Sequence, residues 1–307
     1  MNKSKNVRRG GSAWNIGIYY FCVVNTFGKI FQFYVYSNLH VSMAVYCLVR
    51  MTGYFLQFEN ARDALFLGLS TFVSYNFIRY LNFLENKLTA HINYWFLKHL
   101  KLLFWFTLFD VLGLLFLSRS FHGLSFLILL PFVLLTAMYG LPLLKHKGKR
   151  IALRAYPRLK TVSIACSWAG LSVLYPLVNQ RIPLSFLHGL FFLQQFLFVF
   201  ALTLPFDIRD LEVDAKQLKT VPQLLGIQKT KSLGVGLLLL FVGISYFTMS
   251  LFFFWQACFG AFLVGVFLLF SNREQAHYYA SFWGEGIPIV WYFVASLSLL
   301  WPCFVVS

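Results

Sequence analysis

Acid is what this chain has least of. Of its 307 residues only 10 are Asp or Glu, against 26 Lys or Arg, and charged residues together make up 12%. Soluble domains average about 25% charged residues, so a water-soluble globular protein is excluded. Paired cysteines are also missing. Cys22, Cys47, Cys166, Cys258 and Cys303 are scattered, mostly within apolar stretches, with no Cys-x-x-Cys or Cys/His spacing. That argues against a disulfide framework or a zinc site and leaves them as small apolar side chains. The basic start, Lys3 to Arg9, is not followed by a short apolar segment with a small-residue cleavage site, so a cleavable signal peptide is not expected.

What the chain has instead is apolar length. Hydrophobic residues are 59% of the sequence and aromatic ones 20%. Stretches of about 20 apolar residues, enough to cross the hydrocarbon core, recur along it. They predict about nine transmembrane helices, near 38–57, 62–82, 101–118, 122–142, 161–178, 184–206, 232–252, 254–271 and 287–306. The expected fold class is all-α, a polytopic membrane protein with no room for a separate soluble domain. Residues 14–36 are aromatic and apolar but interrupted by Asn15, Asn25, Lys29 and Gln32. They read as a helix lying in the interface, with a true first span as the alternative. The expected division is 1–36, a basic N-terminus with that helix, and 37–307, the membrane domain.

The positive charge alternates between loops. Counted from the N-terminus, the odd set of connections holds 22 of the 26 basic residues, including Arg79, Lys145, Arg154, Lys160 and Arg209. The opposite set holds Arg62, Arg119 and Arg181. Cytoplasmic loops carry the excess of Lys and Arg, so the N-terminus is expected in the cytoplasm and the C-terminus, after nine spans, outside. This basic bias reads as topology; nucleic-acid binding would want a basic stripe on a soluble module.

Four of the ten carboxylates fall within eight residues, Asp207-Ile208-Arg209-Asp210-Leu211-Glu212-Val213-Asp214, at the expected inner end of the sixth span. On a helix, Asp207, Asp210 and Asp214 share one face. Clustered carboxylates repel, so a cation is expected among them, and three on one face suit Mg²⁺, which takes oxygen ligands and shares them with phosphates. The alternative is a solvated loop that is merely acidic. Asp110, within the third span, is an intramembrane acid with Arg119 or Arg50 as candidate partners.

The acidic stretch is followed by Lys219-Thr220-Val221-Pro222-Gln223-Leu224-Leu225-Gly226. Together the two segments resemble the second aspartate-rich motif of the UbiA superfamily of intramembrane prenyltransferases. Tyr139-Gly140-Leu141-Pro142 with Lys145, and Pro157-Arg158-Leu159-Lys160, look like that family's Tyr–Pro–Lys region. The resemblance spans the chain from about residue 37 and implies a UbiA-like bundle. It implies transfer of a prenyl group from a polyprenyl diphosphate to an aromatic or lipid-soluble acceptor, with quinone biosynthesis the commonest association and Mg²⁺ as cofactor. Asp210 and Asp214 would be the paired metal ligands, with Asp207 beside them. Lys145, Arg154 and Lys160 would hold diphosphate, although each also serves the charge topology. Tyr139 would face the allylic cation.

The first motif departs from the pattern. Asn76 is present, but Tyr80 and Leu84 stand where the family has aspartates, and Glu85 falls one position late, about 100° around a helix. Arg79 either holds a phosphate directly or anchors the span at the interface. Asn38 is a candidate acceptor contact. His277, Tyr278 and Tyr279, near Glu285, either cap the site or anchor at the interface. Two other readings stay open: a UbiA-like protein without catalysis that binds lipid or regulates, and a cation-coupled transporter.

Overall fold

The computed structural model describes residues 26–84, 90–146, 149–153, 159–212, 219–276 and 278–298. Residues 26–36 form α1. Then follow α2 (Leu39–Leu56), α3 (Ala61–Leu84), α4 (Ala90–Ser118), α5 (Gly123–Gly140) and a small hairpin of β1 (Leu144–His146) and β2 (Lys149–Ile151). Next come α6 (Lys160–Ala169), α7 (Tyr175–Asn179), α8 (Phe186–Arg209), α9 (Val221–Leu225), α10 (Ile227–Thr248), α11 (Leu251–Phe270) and α12 (Glu285–Ser298). Apart from the antiparallel hairpin, in which Lys145 pairs with Arg150, the fold is helical as expected.

Among the described residues, seven rods are long and apolar enough to cross a membrane: α2, the 92–118 part of α4, α5, the α6–α7 rod, α8, α10 and α11. The expected count of about nine adds α3, which is 24 residues and so about 36 Å long, and the segment of α12. Helix α4 starts eleven residues before the expected span, and α10 five. Successive rods run in opposite directions, so the starts of α2, α4, α6, α10 and α12 and the ends of α3, α5, α8 and α11 meet at one end, here called the motif end.

Two rods are interrupted by a wide, π-helical turn, Gly170–Leu174 before α7 and Tyr279–Gly284 before α12. Each precedes a proline, Pro176 and Pro288, whose ring would clash with the carbonyl four residues back, at Ser172 and Gly284. Widening the helix there relieves the clash. At Gly170 a side chain would also collide with the Phe132 ring of α5.

The core gathers around α8. Phe198 stacks on Trp291 of α12 with ring centroids 4.6 Å apart, and Phe241 of α10 packs against both. The Trp291 indole N–H donates to the Gln256 carbonyl of α11 (2.8 Å), so a large buried side chain satisfies its one polar atom. Helix α4 is the opposite case. It packs on α3 and leaves most of its length exposed, as a lipid-facing span does. Asp110 on it is half-buried. Neither expected partner serves it: Arg50 is taken by Glu59, Asn60 and Tyr292, and Arg119 lies over the Phe116 ring. Helix α1 docks on the start of α4, where Tyr36 and Phe33 pack against Trp95. Burial and the hydroxyl of Tyr278, 3.4 Å away, push the Tyr36 phenol above its ordinary pKa.

Candidate functional site

Two polar clusters form at the motif end. The first is built on the turn between α1 and α2. Asn38 sits there in a left-handed conformation (φ 68°, ψ 12°), which Asn tolerates better than most residues. That turn aims its amide at α3. Asn38 Nδ2 donates to Asn76 Oδ1 (3.0 Å), and Arg79 Nη2 donates to Asn38 Oδ1 (2.6 Å). Asn76 Nδ2 in turn donates to the carbonyls of Ser37 (2.9 Å) and Phe72 (3.0 Å). Asn76 is therefore consumed in holding the frame, and Arg79 is what the frame presents. Its Nη1 is buried with no hydrogen-bond partner among the described residues. A buried donor left unmade costs about 1–3 kcal/mol, more when charged, so this guanidinium is prepared for an acceptor.

The second cluster joins α6 to α8. Asp207, in the last turn of α8, is 2% exposed. It accepts from Thr161 Oγ1 (2.5 Å) and pairs with Lys160 Nζ (3.2 Å). The same ammonium lies 3.5 Å from Asp210 Oδ2, and Arg209 Nε donates to Asp210 Oδ1 (2.7 Å). Asp210 caps the helix, so the face expected to run through three carboxylates holds two here; Asp214 lies outside the described residues. Lys160 shows that Asp207 and Asp210 converge on one cation position. The donors are carboxylate oxygens, the chemistry Mg²⁺ takes, so the pair fits a divalent ion once Lys160 moves off. No group of three metal-ligating side chains occurs among the described residues.

The remaining expected residues divide as follows. Tyr80 and Leu84 of α3, at the positions of the missing aspartates, are exposed, and Arg79 is half-buried. Lys145 lies in β1 of the hairpin after α5. Arg154, Glu85 and His277 fall outside the described residues. Tyr139 lines a cavity of about 430 Å³ between α2, α3, α5 and α6. Its wall is apolar, relieved by Tyr75, Thr136, Ser163 and Ser167, with Trp168 beside them.

Sequence reasoning missed Thr161, Tyr75 and the bridging role of Asn38. Thr161 follows the named Lys160, and its closeness to Asp207 needs the packing of α6 on α8. Tyr75 sits one residue before Asn76 and would have been found by asking what flanks the motif on the same helix.

Neither a comparison with protein-family models nor one with curated proteins finds a match. Among solved structures, the fold is similar to that of a UbiA homolog from Archaeoglobus fulgidus bound to GPP and Mg²⁺. The TM-score is 0.57 at 12% identity, over 87% of this chain and 99% of that one. The chain is thus an all-α integral membrane protein with a UbiA-type fold.

Proposed function

We propose that this protein transfers a prenyl group from a polyprenyl diphosphate to an aromatic or lipid-soluble acceptor, with quinone biosynthesis as the pathway class. The observation that carries this reading is the presence, at one end of a UbiA-type bundle, of a guanidinium nitrogen that is buried and unpaired among the described residues, Arg79 Nη1, together with a two-carboxylate cation seat, Asp207 and Asp210. A metal-bound diphosphate has the complementary polarity: its metal wants carboxylates and its free oxygens want Arg and Lys. By the positive-inside rule this end lies in the cytoplasm, and the membrane is the inner one if the cell is bacterial.

Asp207 and Asp210, with Asp214, would hold Mg²⁺, which when bound stabilises negative charge on the departing diphosphate. The chain's own residues do the rest. Arg79 binds a phosphate oxygen through Nη1 while Asn38 and Asn76 keep its plane fixed. Lys160 exchanges its carboxylate partners for diphosphate oxygens, and Lys145 and Arg154 add positive charge from the loop. The prenyl chain lies in the apolar cavity, which excludes water from the allylic carbon, and the π-faces of Tyr139 and Trp168 favour positive charge there.

A second reading is favoured by one observation, the exposure of Tyr80 and Leu84 in place of the first motif's aspartates. It makes the chain a non-catalytic, lipid-binding UbiA-like protein. The separating experiment is turnover of radiolabelled prenyl diphosphates by purified protein in lipid, with Mg²⁺ and a membrane extract as acceptor source. Transfer by the wild type, lost in Asp210→Ala/Asp214→Ala, is the expected result. A folded wild type that neither releases diphosphate nor transfers with any donor favours the second reading.

A further inference from the structure

Helix α1 (residues 26–36) is too short to hold its shape alone in water, so it depends on what it packs against. Its seat has two sides. On one, Phe33 lies against Trp95, His99 and Phe106 of α4, with ring centroids 5.9, 5.8 and 6.1 Å away, and Tyr36 meets Trp95 edge to face at 5.4 Å. On the other, Phe31 meets Tyr278 (5.1 Å) and Phe282 (4.8 Å) edge to face, in the turn that leads into α12. The Tyr278 hydroxyl donates to that of Tyr36 (3.4 Å). Phe282 also stacks on His40 of α2 (4.8 Å), whose Nε2–H donates to the Phe282 carbonyl (2.8 Å). Helix α1 therefore bridges the start of α4 and the entry to α12. Its other face, with Phe27, Lys29 and Ile30, is exposed, as on a helix lying at a membrane surface.

The end of α1 runs straight into the first polar cluster. The Ser37 N–H donates to the Phe33 carbonyl (2.9 Å), and the Ser37 carbonyl accepts from Asn76 Nδ2 (2.9 Å). The Asn38 carbonyl accepts from the Ser42 N–H (3.1 Å) and from Ser42 Oγ (2.8 Å) at the start of α2. The turn thus fixes Asn38 from both sides, and among the described residues Asn38 is the one that hydrogen-bonds Arg79. A change in the angle at which α1 leaves that turn is taken up at Ser37 and Asn38, and it carries Asn38 Oδ1 away from Arg79 Nη2. Each link from the α1 rings to the guanidinium is a direct contact, as energetic coupling between two places requires.

We propose that α1 is a strap and that Phe31, Phe33 and Tyr36 are positioning residues: docked on α4 and the entry to α12, they hold Asn38 where it aims Arg79 at a phosphate oxygen. The inference rests on the reading of Arg79 as a diphosphate holder. A guanidinium is a planar fork, and its grip on phosphate depends on the direction of that plane. With the strap docked, Nη2 is spent on Asn38 and Nη1 is left for the ligand. With the strap lifted, the guanidinium regains its rotation and the grip weakens. Linkage makes the effect run both ways, so a phosphate held by Arg79 tightens the docking of α1 by the same factor.

The test uses the full chain in lipid vesicles. Binding of inorganic diphosphate with Mg²⁺ gives the affinity, and amide hydrogen exchange over residues 26–36 reports the docking of α1. In the wild type, diphosphate is expected to slow exchange in α1. Phe31→Ala and Phe33→Ala each loosen one side of the seat. They should speed that exchange and weaken diphosphate binding about 5–150-fold, the span of ordinary coupling between sites. Asn38→Gly keeps the left-handed turn but removes the amide that holds Arg79. Its α1 should exchange near the wild-type rate without ligand, while diphosphate binds more weakly and no longer slows α1. A part that only stabilised the fold would not break that link. Faster α1 exchange in Phe31→Ala and Phe33→Ala with unchanged diphosphate affinity would overturn the proposal. So would wild-type binding that leaves α1 exchange as it was, or substitutions that leave it as slow as before, since the rings would then not hold the helix. A wild type that binds no diphosphate, or binds it as well in Arg79→Met, would instead bring down the reading of Arg79, and this inference with it.

Discussion

Each end of the bundle buries a carboxylate, and the two are treated differently. Away from the motif end, Asp63 of α3 is fully buried. It accepts from Asn179 Nδ2 (2.5 Å) and Gln180 Nε2 (2.9 Å), and Ser125 Oγ of α5 donates to Asn179 Oδ1 (2.6 Å). Every one of these partners is neutral. The cluster ties α3 to α5 and to the end of α7, and it has nothing to exchange with a ligand. At the motif end, Asp207 is nearly as buried, but it is held by an ammonium that a metal ion can replace. Across the bundle Arg79 keeps a donor unspent. A buried polar cluster at a helix end is therefore not by itself a binding site. The difference lies in whether its partners carry charge that can be handed over and whether a donor is left unmade.

Substitutions at matched positions break that comparison most sharply. Asp207→Asn keeps the shape but removes the charge. It should cost transfer about 10²–10³-fold, the scale of losing one preorganised electrostatic contact in a water-poor site. Asp63→Asn should leave transfer per folded molecule unchanged. If both variants lose transfer equally, the distinction between lock and site is wrong.

The next largest effect is on stability and falls at the other end. Asp63→Ala leaves the amides of Asn179 and Gln180 without their acceptor, each costing about 1–3 kcal/mol. A loss of about 2–4 kcal/mol is expected in denaturation of the detergent-solubilised protein. Asp207→Ala should cost less, because Lys160 retains Asp210 and is not stranded.

Arg79→Met sharpens the account of the first cluster. It removes a charged hydrogen-bond donor worth about 1.5–3 kcal/mol, so inorganic diphosphate should bind about ten- to a hundredfold more weakly by calorimetry. Tyr80→Phe, on the exposed face of the same helix, should change nothing.

The smallest effect concerns pH. In the connection between α2 and α3, the backbone N–H of Ala61 (2.7 Å) and the Arg50 guanidinium hold the Glu59 carboxyl below its ordinary pKa. A lowered pKa gives stability that is present above the unfolded carboxylate range and lost as pH falls through the folded value. Glu59 is solvent-exposed, so screening limits the effect to under about 1 kcal/mol. Thermal scans from neutral pH down to about pH 3 should show a slightly shallower fall in Glu59→Gln than in the wild type.

Much of this was readable in the chain itself. The rods were legible because apolar length is a local property, and the acid cluster because four carboxylates in eight residues stand out where acid is rare. Arg79 stood out in the chain as either a phosphate holder or an interface anchor, while its bond to Asn38 needs the fold. The start of α4 was not legible, because Asn93, Lys98 and Lys101 make its first turns polar although they continue the helix. Asn38 was noticed, but its bridge reaches across 38 residues to Asn76 and depends on a left-handed turn that sequence does not announce. The union of Thr161 with Asp207 spans 46 residues and exists only through helix packing.

The most direct measurement is equilibrium binding of inorganic diphosphate to the reconstituted protein, with and without Mg²⁺, in wild type, Asp207→Asn and Asp63→Asn. The expected result is saturable, Mg²⁺-dependent binding that Asp63→Asn leaves intact and Asp207→Asn removes. A folded wild type that binds no diphosphate, or binding that survives Asp207→Asn, would contradict the placement of the site at the motif end.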